Sequence, residues 1–228
     1  MKILVAPNSF KECASSLEIS KLIASKISEY LHNAEVFTLA LSDGGDGFLD
    51  VCKEVLDLSI IYVPISSNGN FPLKKAPAGI SKDGTEAYIE SANLVGMKLL
   101  LGKSSNIKMI SSAALGDAIK YFSMNCPGVE KIIVGIGGTA TNDIGIGALT
   151  QLGVKCIDSN GKEITSPETM MKDLEKIEFD KMDLPRLIFV TDVDNPLLGE
   201  KGATRVFGPQ KGVKNEDFEL FESFFEKV

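Results

Sequence analysis

Four glycine-rich or acidic loops each stand at the end of an apolar run: "PNSFKE" after "KILVA", "SDGGDG" after "VFTLAL", "GIGGTATND" after "KIIV", and "TDVDNP" after "RLIFV". One such loop is commonplace, whereas four on one chain call for a fold that gathers strand ends. The first two loops lead into helical patterns. "SSLEISKLIASKISEYL" carries Leu17, Ile19, Leu22, Ile23, Ile27 and Leu31 at helical spacing, and Ser15 and Glu18 form a capping box at its start; "FLDVCKEVL" follows the second loop. Strand, loop and helix in that order are the grammar of a parallel α/β sheet whose ligands sit at the carboxyl ends of the strands.

From about residue 60 the grammar changes. Turn signals at Asn68-Gly69 and Asp83-Gly84 separate short apolar runs, which predicts antiparallel hairpins and a unit boundary near residue 65. Helix, strand and helix resume in "SSAALGDAIKYFSM", "KIIVGI" and "NDIGIGALTQL", followed by "VKCID" and "RLIFVT". The last segment, "NEDFELFESFFEKV", predicts an amphipathic helix that buries Phe218, Phe221, Phe224 and Phe225.

Composition then removes whole classes of chemistry. The net charge of -7 leaves no basic stripe for a nucleic acid. No stretch approaches eighteen apolar residues, so neither a membrane span nor a signal segment is read. Cys13, Cys52, Cys126 and Cys156 are scattered without a CxxC pair and read as reduced thiols of a cytoplasmic protein. His32 is the single histidine, which excludes a multi-histidine metal site and argues against a Ser-His-Asp or Cys-His mechanism. Acid-base work falls to carboxylates or lysines.

"GIGGTATND" offers Gly135, Gly137 and Gly138 for close backbone approach, Thr139 and Thr141 as hydroxyl donors, and Asn142 and Asp143 at a helix start, the parts of a phosphate cradle. The plain alternative is a tight turn capped by Asn142 or Asp143. A third reading is a G-x-G-x-x-A dinucleotide fingerprint on Gly135, Gly137 and Ala140 with Asp158 downstream, which would make the protein an NAD-dependent oxidoreductase. In "TDVDNP", Asp192 and Asp194 share a side if the backbone stays extended, and two carboxylates that close need a cation or a proton between them. Mg2+ carrying nucleotide phosphates would satisfy them, as would one metal ligand beside one general base; a solvated acidic turn is the plain alternative. Asp43 and Asp46 in "SDGGDG" pose the same choice. Ser9 and Lys11 in "PNSFKE", and Gln210 and Lys211 in "GPQKG", read as a glycine-rich turn, supply groups for phosphate or carboxylate oxygens.

Taken together, "PNSFKECASSLEIS", "LSDGGDGFLD", "IES", "IIVGIGGTATNDIGIGAL", "LGVKCID" and "TDVDNPLLGEKGATRVFGPQKG" resemble the type I glycerate kinase family, in order and over essentially all 228 residues. The resemblance implies ATP-dependent phosphorylation of glycerate with Mg2+. It also implies two α/β domains around a cleft: a discontinuous Rossmann- or flavodoxin-like domain whose first segment is 1–65, and an inserted mixed α/β domain, 66–228. On this reading Asp192 and Asp194 serve as metal ligand and general base, and Gly137, Gly138, Thr139, Thr141, Asn142 and Lys211 face the nucleotide. Ser9, Lys11 and Asp43 face glycerate, with Lys11 and Asp43 close to the chemistry. Asn8 stands where the family usually has an aspartate, and Glu12-Cys13 where it has a glycine-serine pair. Family members are considerably longer, so the chain matches their N-terminal portion. That implies an incomplete first domain, an uncovered apolar face that favours a homo-oligomer, and little turnover by these residues alone, with inert small-acid binding as the alternative.

Overall fold

A computed structural model describes residues 1–10, 13–66, 71–100, 106–180 and 182–228. Strand β1 (Lys2–Val5) and β2 (Glu35–Thr38) pair in parallel through helix α1 (Ser16–Tyr30). The predicted capping box is present: the Ser15 N–H donates to Glu18 Oε2 at 2.8 Å and the Glu18 N–H donates to Ser15 Oγ at 3.2 Å. Ser16 then stitches the two strand-end loops together, its hydroxyl donating to the Pro7 carbonyl (2.8 Å) and accepting from the Leu41 N–H (2.9 Å).

Helix α2 (Phe48–Leu56) leads into β3 (Ser59–Pro64), β4 (Lys75–Ile80) and β5 (Glu86–Glu90), an antiparallel meander. The Asp83-Gly84 turn joins β4 to β5 as expected, with Gly84 at φ 76°; the Asn68-Gly69 turn lies outside the described residues. After the short α3 (Ala92–Val95) and the longer α4 (Ala113–Asn125), β6 (Lys131–Gly135) enters beside β5 in parallel. Next come α5 (Ile146–Gln151), β7 (Lys155–Ile157), β8 (Glu163–Ile164), α6 (Pro167–Asp173), β9 (Lys176–Glu178) and β10 (Arg186–Val190). The chain closes with α7 (Ala203–Lys211) and α8 (Phe218–Lys227).

The main sheet has the order β10-β6-β5-β4-β3, with β5, β6 and β10 parallel. Sheet membership therefore changes between β2 and β3, while the boundary proposed from the sequence falls at the end of β3. One face of the sheet packs Ala87, Ile89, Ile132 and Val134 against Phe122 of α4 and Ile146 of α5, and the other packs Tyr88 against Phe48 and Leu49 of α2. Phe221, Phe224 and Phe225 of α8 are buried as the amphipathic pattern predicted, and Phe218 lies half-buried beneath Arg205.

"VKCID" forms β7, which pairs antiparallel with β8 and β9 in a separate three-stranded sheet. One reading needs correction. "GPQKG" is no glycine-rich turn, because Lys211 is the last residue of α7 and Gly212, at φ 93°, ends that helix in the left-handed region. Among the described residues no helix is long and apolar enough to cross a membrane, and all four cysteines are free.

Candidate active site

The register of the three parallel strands sets the site. Gly135 of β6 lies level with Glu90 of β5 and with Val190 of β10, so the segments beginning at Ser91, Ile136 and Thr191 leave the sheet side by side. Two crossing hydrogen bonds hold them together: the Ser91 N–H donates to the Gly135 carbonyl (3.0 Å) and the Ile136 N–H to the Val190 carbonyl (2.8 Å). The 42–47 loop closes over this edge at backbone contact distance. A β-carbon on Gly44 would lie 2.3 Å from the Val190 oxygen, one on Gly137 2.5 Å from the Gly45 Cα, and one on Gly135 2.6 Å from the Phe48 ring. These glycines are required by the approach of three loops to one another, a demand invisible within any single loop.

Within that junction Asp43 Oδ1 accepts from the Gly45 N–H and Oδ2 accepts from Asn8 Nδ2, both at 2.9 Å. An aspartate at position 8 would set two carboxylates face to face; the amide of Asn8 turns the contact into a donor-acceptor pair. Ser9 follows directly, its N–H bonded to Asn8 Oδ1 at 2.8 Å. Lys11 lies outside the described residues. Asp46 is exposed and pairs with Lys98 at 2.9 Å.

The "GGTATND" loop is held from below and behind. Asp143, 2% exposed, accepts from the Ser112 N–H and hydroxyl (2.8 Å each) and from the N–H groups of Gly147 (3.2 Å) and Gly145 (3.3 Å). It thereby caps the N-termini of both α4 and α5, so the α5 terminus already holds a carboxylate and is not the anion seat that the sequence suggested. Asn142 is buried and donates to Thr204 Oγ1 of α7 at 3.1 Å. Lys211, at the far end of α7, reaches back with Nζ 2.7 Å from the Thr141 carbonyl and 3.3 Å from Thr139 Oγ1. Lys211 thus holds a cation against the 139–141 stretch of this loop.

The family model described as "Glycerate kinase family" matches residues 3–228. The chain belongs to the glycerate kinase family. It is 36% identical to a glycerate kinase of Haemophilus influenzae over 221 residues, covering 95% of this chain and 57% of that relative. It is 34% identical to the glycerate 2-kinase of Escherichia coli over 221 residues, covering 93% and 56%. A crystal structure described as "putative glycerate kinase 2 from Salmonella typhimurium LT2" superposes with a TM-score of 0.82 at 33% identity, covering 100% of this chain and 61% of that one. The chain thus spans less than three-fifths of the length of these curated glycerate kinases.

Asp192 and Asp194 follow β10 onto this edge, both exposed. Neither carboxylate joins a hydrogen bond or ion pair with another described residue, and Asp194 makes no capping bond of the kind an acidic turn would show. No group of three or more candidate ligands forms a metal cage among the described residues. Two uncommitted carboxylates suit Mg2+, which dehydrates reluctantly and is commonly held by one or two carboxylates plus substrate phosphates. The loop's far end is anchored by Asn195 Nδ2 on the Lys201 carbonyl (3.0 Å) and by the Gly199 N–H on Glu222 Oε2 (2.8 Å). The dinucleotide fingerprint, by contrast, has no structural counterpart. That fingerprint needs a parallel β-α-β unit with its acid at the end of the second strand, but β7 leaves the sheet and Asp158 is spent on its own turn, accepting from the N–H groups of Asn160 and Lys162. Glu90 and Ser91 of the "IES" segment were passed over as candidates; the only sequence signal was a glutamate ending the apolar run "AYI". Cavities of about 440 and 450 Å³ lie elsewhere, at Lys155, Lys176 and Phe179 and along the outer face of α1, and touch none of the strand-end loops.

Burial pushes the Lys211 ammonium down from 10.5 to about 8, with Asp143 pulling the other way. Below about pH 8 the folded and unfolded chains both hold this proton; above it only the unfolded chain does, until about pH 10.5. Stability contributed by this group therefore rises with pH across that window. Urea-unfolding free energies are expected to climb by on the order of 2 kcal/mol more in the native protein than in Lys211→Met between those limits. Parallel pH curves for the two proteins would place the ammonium in solvent.

Proposed function

We propose that the chain carries the catalytic machinery of ATP-dependent, Mg2+-assisted phosphorylation of D-glycerate. The observation that supports this most directly is the convergence on one sheet edge of Asp43, the 137–142 loop with Lys211, and the unpartnered Asp192 and Asp194. Phosphoryl transfer needs little covalent help from a protein; it needs aligned reactants and positive charge at the transferred group. Asp192 and Asp194 would hold Mg2+, which supplies charge neutralisation at the phosphate oxygens. Lys211 lies beside the Thr139 and Thr141 segment, with Gly137, Gly138 and Asn142 completing the nucleotide side; its charge, and with it phosphate affinity, falls as pH rises through about 8. Asp43 and Ser9, with Lys11, form the acid side, where a carboxylate near an alcohol can accept its proton and a lysine can meet the glycerate carboxylate. The units 1–65 and 66–228 are the proposed walls of the cleft, and a cytoplasmic setting suits the substrates. Exposed Leu4 and Phe37 on β1 and β2, with Leu22 and Tyr30 on α1, favour a homo-oligomer.

Thermal-shift titration tests the nucleotide. ATP with Mg2+ at about 100 times its dissociation constant should stabilise the fold by roughly 2.7 kcal/mol, and NADH should not. A coupled assay for glycerate-dependent ADP release tests the reaction. Stabilisation by glycerate without turnover would instead mark a small-acid-binding module.

A further inference from the structure

Glu90 is the last residue of β5 and 4% exposed, yet it forms no ion pair with another described residue. Its two carboxylate oxygens divide between two backbone donors more than forty residues away: Oε1 accepts from the Gly47 N–H at 3.1 Å and Oε2 from the Leu49 N–H at 2.9 Å. These N–H groups open α2. The cap residue of that helix is Gly47, at φ 86°, which has no side chain to accept from the first turn. A glutamate from the neighbouring sheet supplies the missing cap.

We propose that Glu90 is a positioning residue that sets the 42–47 loop, and with it Asp43, against the ends of β6 and β10. The loop is short, and the links from Asn8 to Asp43 and from Lys98 to Asp46 are exposed and so contribute little rigidity. Gly44 and Gly45 approach Val190 and Gly137 so closely that a β-carbon on Gly44 or on Gly137 would not fit. A shift of α2 along its axis would open those contacts and swing Asp43 away from the edge, and the two bonds from Glu90 fix where α2 begins. The arrangement carries a cost. Burial pushes the Glu90 carboxyl up from its ordinary value, the two N–H bonds oppose this, and Asp46 and Asp50 add to it. A carboxylate kept where its charge is disfavoured indicates a demand for position, since an apolar side chain of similar size would fill the space but leave the N–H groups of Gly47 and Leu49 without acceptors.

The kinetic arm of the test rests on the glycerate kinase reading; the exchange arm does not. In Glu90→Gln one oxygen remains and an NH2 group faces the second N–H. KM for glycerate is expected to rise about tenfold with KM for ATP unchanged, a selective loss on the side where Asp43 stands. Amide hydrogen exchange at residues 44–49 should quicken about tenfold while α4 and α5 keep their protection. Glu90→Asp, which retains a carboxylate with shorter reach, should show both effects to a smaller degree and serves in place of the glutamine variant if that protein does not fold. An unchanged glycerate KM, equal changes in both KM values, or a uniform loss of protection through the main sheet would overturn the assignment. If the native chain turns over too little glycerate to measure, as its sequence leads one to expect, local against uniform exchange alone decides the role of Glu90.

Discussion

Asp192→Asn and Asp194→Asn are each expected to lower glycerate-dependent ADP release by about 100-fold or more while leaving the thermal midpoint in place. Both halves of that expectation follow from the same observation: the two carboxylates leave β10 at the site edge, exposed and bound to nothing described in the chain. Neutralising an exposed, unpartnered group costs a fold within about 0.5 kcal/mol, so any large loss must come from the reaction. The pair can be divided further by raising the Mg2+ concentration. A lost metal ligand is partly rescued by mass action, whereas a lost proton acceptor is not. Near-native rates in both variants would make "TDVDNP" a solvated acidic turn and move the chemistry elsewhere, with Asp43 the next carboxylate to test.

Asp143→Ala should act in the opposite way, through the fold. The Asp143 carboxylate takes four hydrogen bonds, one from the Ser112 hydroxyl and three from the backbone N–H groups of Ser112, Gly145 and Gly147. Removing it strands buried donors at the starts of two helices, each costing about 1–3 kcal/mol. A destabilisation of at least ~3 kcal/mol is expected, which for a chain of this size corresponds to a midpoint lowered by roughly 6–12 °C. Asp143→Asn keeps one acceptor oxygen and should lose distinctly less. Urea denaturation of the three proteins is the measurement, and a loss below about 1 kcal/mol in the alanine variant would mean that water takes over the cap. The same variant should loosen the 139–142 segment, since Asp143 holds it to the helices behind together with the Asn142–Thr204 and Lys211–Thr141 bonds.

What could be read from the sequence alone was whatever neighbours in the chain decide. Ser15 and Glu18 are three residues apart, so their capping box needs no tertiary partner. Asp83-Gly84 turns because glycine accepts a positive φ there, and the phenylalanines of α8 announce their burial by spacing. The four strand-end loops were legible for the same reason, as was the family, whose motifs lie within them. Everything misread or missed depended on residues distant in the chain. β7 leaves the main sheet because its pairing partners are β8 and β9, a choice its own three residues do not encode. The "GIGGTATND" glycines announce a close approach, but not what approaches: Phe48, Gly44 and Gly45 press against Gly135 and Gly137 from some ninety residues away. Lys211 was placed in a turn because Gly208, Pro209 and Gly212 are helix breakers by local propensity, yet α7 runs through the first two, with Gly208 buried against Val213 and Thr204. Local preferences of about 1 kcal/mol per residue are readable one turn at a time. Which strand ends meet, which buried carboxylate caps which helix, and which lysine loses its water are decided only when contacts across the whole chain form together, because each partner's burial depends on the other's being there.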